Sequence, residues 1–190
     1  MAIENEMANF AELTVTKKLQ GTYLVKRVLM ILAYILVPLL ILIGLLAVGA
    51  GAVGLIVYIP VMYTFFLPRI IIPATYRYVQ IEYEYEIAAG DMSAAYIYGR
   101  RSRKEIVGPI TVSSMETIAP YRDTYKAAAD DPSIQKRYEA VAYMGHPDNY
   151  YAIFRDDEGK KCVLFFQATN KVLKLLRFLN RSTVVTEVSM

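Results

Sequence analysis

The side chains able to do chemistry are few and scattered along the chain. The single histidine, His146, sits in a Gly145-His146-Pro147 turn and reads as a turn residue, so a hydrolase triad lacks its base. The single cysteine, Cys162, falls inside an apolar strand-like run and reads as a small core or strand-surface residue. One cysteine and one histidine cannot supply the ligands of a zinc site. Glu82, Glu84 and Glu86 share one strand face at spacings of ~7 Å, which admits a cation but describes a solvated sheet face more readily. Asp156-Asp157-Glu158-Gly159 lacks the ligand pattern of a calcium loop and reads as a hairpin turn. Gly49–Gly54 contains no lysine and lies within an apolar stretch, so it is no phosphate loop. No catalytic residue, metal ligand or cofactor-binding motif emerges, and the expectation is a protein that is not an enzyme and needs no cofactor.

The chemistry that remains is positive charge. Arg100, Arg101, Arg103 and Lys104 crowd one short segment and are candidates for contact with the anionic headgroups of a membrane, the alternative being a solvated turn. A net charge of only +3 leaves no nucleic-acid footprint.

What positions that segment is an apolar stretch of about 40 residues, Val28 to Pro68, with no charged side chain. As one helix it would reach ~60 Å, twice the hydrocarbon thickness, so two spans joined by a tight turn are expected: Val28–Val48 and Ala52–Pro68, with Gly49–Gly54 between. Lys17, Lys18, Lys26 and Arg27 precede the hairpin, and Arg69 and Arg77 follow it. Positive charge on both flanks places both termini in the cytoplasm, with a multi-pass protein in the cell membrane. A cleaved signal peptide over Val28–Val48 fits poorly, because the preceding segment is long and a second span follows. Pro38 and Pro60 tend to kink the spans, and small residues near the turn let the helices approach. Neither span carries an Asp, Glu, Lys, Arg or His, which favours an anchor over a channel.

Residues 1–27 form an N-terminal cytoplasmic arm. Phe10, Leu13 and Leu19 give a loose helical stripe, so an interfacial helix and a frayed arm both stand. After the hairpin (28–68) the period changes to two. Strands are expected at Val79–Ile87, Met92–Tyr98, Lys104–Gly108, Ile110–Ala119, Tyr138–Met144, Tyr150–Arg155 and Lys161–Gln167, with a helical turn at Tyr125–Ala129. The last pair, around Asp156–Lys160, is the clearest hairpin. Thr169 then caps a helix running to about Arg181, with Val172, Leu175, Leu176 and Leu179 as its packing face and Lys171, Lys174, Arg177 and Arg181 off it. The expected units are therefore the arm, the hairpin, a mainly-β domain over 74–182, and a tail over 183–190.

Seven antiparallel strands and a closing helix resemble the pleckstrin-homology-like (PH-like) fold, a barrel or sandwich capped by its C-terminal helix. The residues carrying the likeness are Cys162-Val163-Leu164-Phe165-Phe166-Gln167 and Lys171-Val172-Leu173-Lys174-Leu175-Leu176. The whole chain is also similar to a family of bacterial two-span membrane proteins with a C-terminal PH-like domain, through its basic pre-span segment, Tyr83-Glu84-Tyr85 and Tyr98-Gly99-Arg100-Arg101-Ser102-Arg103-Lys104. The resemblance implies a fold and a location but no reaction. In phosphoinositide-binding members the basic loop joins strands one and two; here that loop is read as Ala88-Ala89-Gly90-Asp91, which has no cation. The expected partners are the lipid bilayer and an unidentified protein, with a homo-oligomer admitted and nucleic acid not. The expected role is a membrane-anchored scaffold, the alternatives being a sensor of anionic lipid through residues 100–104 or an accessory subunit of a larger membrane transport assembly.

Overall fold

The computed structural model describes residues 10–49, 51–77, 79–99 and 102–185. They divide into two compact units, one holding the strands and the last helix, the other spanning residues 19–81 with 98–101.

The helical unit is a hairpin of two apolar helices, each longer than expected. The first, α1, covers Gly21–Ala47. The second runs without a break through α2 (Ala52–Pro60), a π-helical stretch (Val61–Ile71) and α3 (Ile72–Tyr76). Charge does not stop a helix, so Lys26, Arg27 and Arg69 lie within helical turns where their long stems can reach outward. Pro68 does not end the second span either. With Pro60 it removes backbone donors, and the helix between and around them widens to the π form. Gly49 takes φ +80° in the connecting turn, as the glycine cluster suggests. Both helices are long and apolar enough to cross a membrane, and almost none of their residues is buried.

The strand unit departs from the expectation at its first element. Phe10–Thr16, read from sequence as part of an arm or interfacial helix, is a strand, β1, paired antiparallel with β2 (Ile81–Ala88) in the register Phe10↔Ala88 to Thr16↔Glu82. Ala11, Leu13 and Val15 point inward and alternate with exposed Phe10, Glu12, Thr14 and Thr16, a period of two that the looser Phe10–Leu13 spacing obscured. The helical hairpin is thus inserted between the first two strands of the domain. The loop joining strands one and two is therefore the hairpin itself, and Ala89-Gly90 is instead the turn between β2 and β3 (Asp91–Tyr98).

The rest of the strand unit also corrects the expected seven antiparallel strands in a barrel. The described residues form eight strands in two four-stranded sheets, ordered β1-β2-β3-β4 and β5-β7-β8-β6, and no barrel closes. One strand, β4 (Ser102–Thr111), replaces the two expected on either side of Pro109, because the edge of a sheet tolerates a missing donor. A 3-10 turn at Val112–Ser114 leads to β5 (Thr117–Pro120), and α4 (Lys126–Ala129) follows. Then comes β6 (Lys136–Ala140), two residues earlier than expected and parallel to β8 (Lys161–Gln167) rather than antiparallel. The hairpin of β7 (Asn149–Arg155) and β8 lies where the sequence puts it.

Residues 150–154 and 162–168 are buried on both faces. Tyr151, Ile153, Val163 and Phe165 pack with Ala119, Ala129 and Val141 under Tyr121, Tyr125 and Ile134 of the long β5–β6 connection. Tyr85 ties the two sheets together: its hydroxyl donates to the Ala140 carbonyl and accepts from the Gln167 N–H. The last helix, α5 (Asn170–Leu179), starts where Thr169 accepts the Val172 N–H and buries Val172, Leu173, Leu175 and Leu176. It ends two residues before Arg181 because Asn180 turns inward to donate to Val112 and Met115 carbonyls. Val184 then bridges to Ile118, so the chain after α5 still belongs to the β5 edge.

Candidate functional site

Three features bear on function: a cationic end of the first sheet, a polar seam in the helical hairpin and a groove in the strand unit. Thr16 pairs with Glu82, so the chain leaves β1 and re-enters β2 at one end of the first sheet. Lys17 and Lys18 follow β1 there, and Arg77 leads into β2. The β3–β4 turn lies at the same end, where the Gly99 N–H donates to the Gln80 carbonyl over 2.9 Å. Gly99 takes φ +57°, and a Cβ there would meet the Cβ of Arg77 at 2.7 Å, so the turn needs glycine.

Of the basic residues singled out from sequence, Arg100 and Arg101 lie outside the described residues. Arg103 is held by carboxylates, 2.8 Å from Glu84 and 3.4 Å from Glu86. The glutamate row of β2 is thereby partly neutralised within the domain. Lys104 is exposed. The Lys18 ammonium lies 4.2 Å from the centre of the Tyr143 ring, and the Lys18 backbone N–H donates to the Ala142 carbonyl. Arg69 lies over Phe65, and Lys26 is exposed.

Sequence reasoning missed the polar seam of the hairpin. Arg27 donates to the Tyr76 hydroxyl, and Tyr34 and Thr75 share a hydrogen bond of 2.6 Å. Tyr23 donates to the Val79 carbonyl and accepts from the Ile81 N–H at 3.1 Å, and Tyr58 donates to Pro38 at 2.9 Å. Tyrosine and threonine within an otherwise aliphatic run were the available signal.

The groove, of about 410 Å³, lies between residues 106–111 of edge strand β4 and the β6 and β7–β8 wall. Tyr138 and Phe154 stack at 6.4 Å, and Lys136 bonds Asp156 over 2.6 Å. That lysine, with the N–H groups of Lys160 and Glu158, holds the Asp156 carboxyl below the usual carboxylate range, while the pair lifts Lys136 above its own ordinary value. Such a groove can receive a small ligand or an extended chain; it holds no nucleophile with a base. Cys162 is buried, donates to the Lys160 carbonyl, and is pushed up by burial, away from thiolate character. His146 accepts the Asp148 N–H at 3.2 Å within its turn, as a turn residue does. Among the described residues no three His, Cys, Asp or Glu side chains gather as a metal site.

A family described as a bacterial PH-like domain (DUF6106) matches residues 6–186. The chain belongs to this family. The match begins before β1 and runs through the hairpin to residue 186, past the end of α5, so the DUF6106 domain includes the strand that precedes the apolar helices. PH-like domains are generally non-catalytic and commonly bind lipids or proteins, which makes this one a candidate interaction module. No curated protein and no solved structure matches the chain.

Proposed function

We propose that the chain is a membrane-anchored scaffold: α1 to α3 form a bilayer hairpin, and the PH-like domain stands on the cytoplasmic face to bind another protein. The observation that carries this reading is the insertion of two apolar helices between paired strands β1 and β2. Because β1 and β2 pair across the insertion, the hairpin is an insert within the PH-like domain rather than a segment that precedes it. Basic residues flank both spans, which favours the cytoplasm for the domain. The test uses Ser113→Cys, an exposed position, against the buried natural Cys162. A membrane-impermeant maleimide should label this variant only after cells are opened. Labelling of intact cells would refute the topology.

A second reading, contact with anionic lipid, is favoured by the run Arg100, Arg101, Arg103 and Lys104 in the sequence, with Lys104 exposed. Each cation near a negative leaflet contributes about 1 kcal/mol, screened beyond ~8–10 Å. In nanodiscs, hydrogen exchange of residues 98–106 should slow in anionic over neutral lipid, and Arg100→Glu with Arg101→Glu should abolish the difference. Equal exchange in both lipids removes this reading.

A further inference from the structure

Strand pairing sets Lys136, Cys162 and Phe154 in one row and Tyr138, Leu164 and Ala152 in the next, so all six share one face of the second sheet. Phe166 lies on the same face, and its ring meets that of Tyr85 on β2 at 6.2 Å, which makes this the face turned toward the first sheet. Phe154, Cys162 and Leu164 are buried there, whereas Lys136 and Tyr138 at the β6 margin are only half-buried. The first sheet ends at β4, and the groove of about 410 Å³ opens between that edge and this margin. The first sheet is in effect one strand short of covering the second. All of these residues belong to the strand unit. Along the groove Lys136 is bound to Asp156 at 2.6 Å, Arg155 to Glu116 at 3.0 Å and Glu158 to Lys160. Asp157, also in the lining, is exposed and has no ion pair among the described residues.

We infer that this groove takes a short extended segment of a partner protein, which lays an apolar side chain on Tyr138 and sets a lysine or arginine beside Asp157. The inference rests on the reading of the chain as an interaction protein and deepens it by naming the surface and the chemistry bound there. A cleft floored by one sheet and bounded by the edge of another suits an extended chain. Alternate side chains of such a segment turn onto the floor while its main chain runs beside the open edge. The charge of the partner follows from the lining, where both cations are already held by carboxylates and Asp157 is left to attract a positive group. Pairing with the β4 edge of a second copy is disfavoured by the strand itself. Pro109 has no donor, and the Thr111 carbonyl already accepts from the Ser114 hydroxyl at 2.7 Å, so a long ladder would be broken there. A short segment held mainly by its side chains does not depend on an unbroken ladder.

The test is made on the full chain in its native membranes, with a photo-reactive benzophenone side chain installed at position 111 in the groove and, separately, at exposed position 174 on α5. The expected result is an adduct from 111 with one protein, mapped to a peptide that carries a lysine or arginine within a few residues of an apolar side chain. Asp157→Lys should lower its yield about fivefold or more. Asp157 is exposed in a turn, so this variant should keep the natural denaturation midpoint. A synthetic copy of the mapped peptide, with its basic residue changed to glutamate, should bind the Asp157→Lys chain in nanodiscs more tightly than the natural chain. An adduct with phospholipid alone, with a second copy alone or with the chain's own termini alone overturns the inference, as does one that Asp157→Lys leaves unchanged. A protein captured from 174 and not from 111 also overturns it while leaving the interaction reading intact; no protein captured from either position overturns both.

Discussion

Ala89 takes φ +52° beside Gly90 at +93°, the paired positive angles of a tight hairpin turn that an L side chain with a Cβ resists. Ala89→Gly or Ala89→Asn should therefore stabilise the domain by about 0.5–1 kcal/mol, read as a higher denaturation midpoint; a lower midpoint would show the turn is not strained. Tyr85 carries the opposite kind of weight. Buried at the meeting of the two sheets, its hydroxyl serves Ala140 and Gln167, and Tyr85→Phe should cost about 1–3 kcal/mol. Burial pushes its ionisation above the ordinary value of 10.0, and that of Tyr151 likewise. The folded phenols keep protons that the unfolded chain has lost, so stability holds below pH ~10 and declines above it, by up to about 1.4 kcal/mol per pH unit for each group. Denaturation followed from pH 9 to 11 should show this slope, and Tyr85→Phe should make it shallower. An unchanged slope would mean that Tyr85 is not the group responsible.

At the scale of elements, legibility followed periodicity. The β7–β8 hairpin and α5 were readable because strong apolar patterns sit beside unambiguous signals, a Gly-containing turn and the Thr169 cap. Strand β1 was not, because a short strand with one buried face, Ala11-Leu13-Val15, carries little pattern and its partner lies across the whole hairpin. Likewise β6 gives no sign of its parallel pairing, which the path of the 121–135 connection decides. A fragment of residues 74–190 lacks β1 and opens the edge of β2, where Tyr83, Tyr85 and Ile87 are buried. It should aggregate or lack cooperative unfolding in gel filtration and denaturation experiments. A well-folded monomer would show that β1 is dispensable.

For the molecule as a whole, the insertion makes a converse prediction. Thr16 faces Glu82 across β1 and β2, so replacing residues 17–81 by a short Gly-containing turn should close the strand pair and release a soluble, cooperatively folding domain. If that chain failed to fold while the full protein did, the hairpin would be more than an insert. Of the candidate site, the cationic turn was legible as composition, but the capture of Arg103 by Glu84 and Glu86 was not, since the partners lie two strands apart. The exposure of Phe178 on α5 was equally hidden, because exposure belongs to the packed helix and not to its sequence.

The sequence alone determined the two apolar helices, their glycine turn, the β7–β8 hairpin and the closing helix, because each is a local pattern of hydrophobicity and backbone preference. Only the tertiary structure decided that β1 precedes the hairpin yet completes the sheet, that two sheets stand open without closing, and which charges are matched. Those outcomes depend on contacts between residues distant in the chain, and pairing of that kind leaves no periodic trace in either partner.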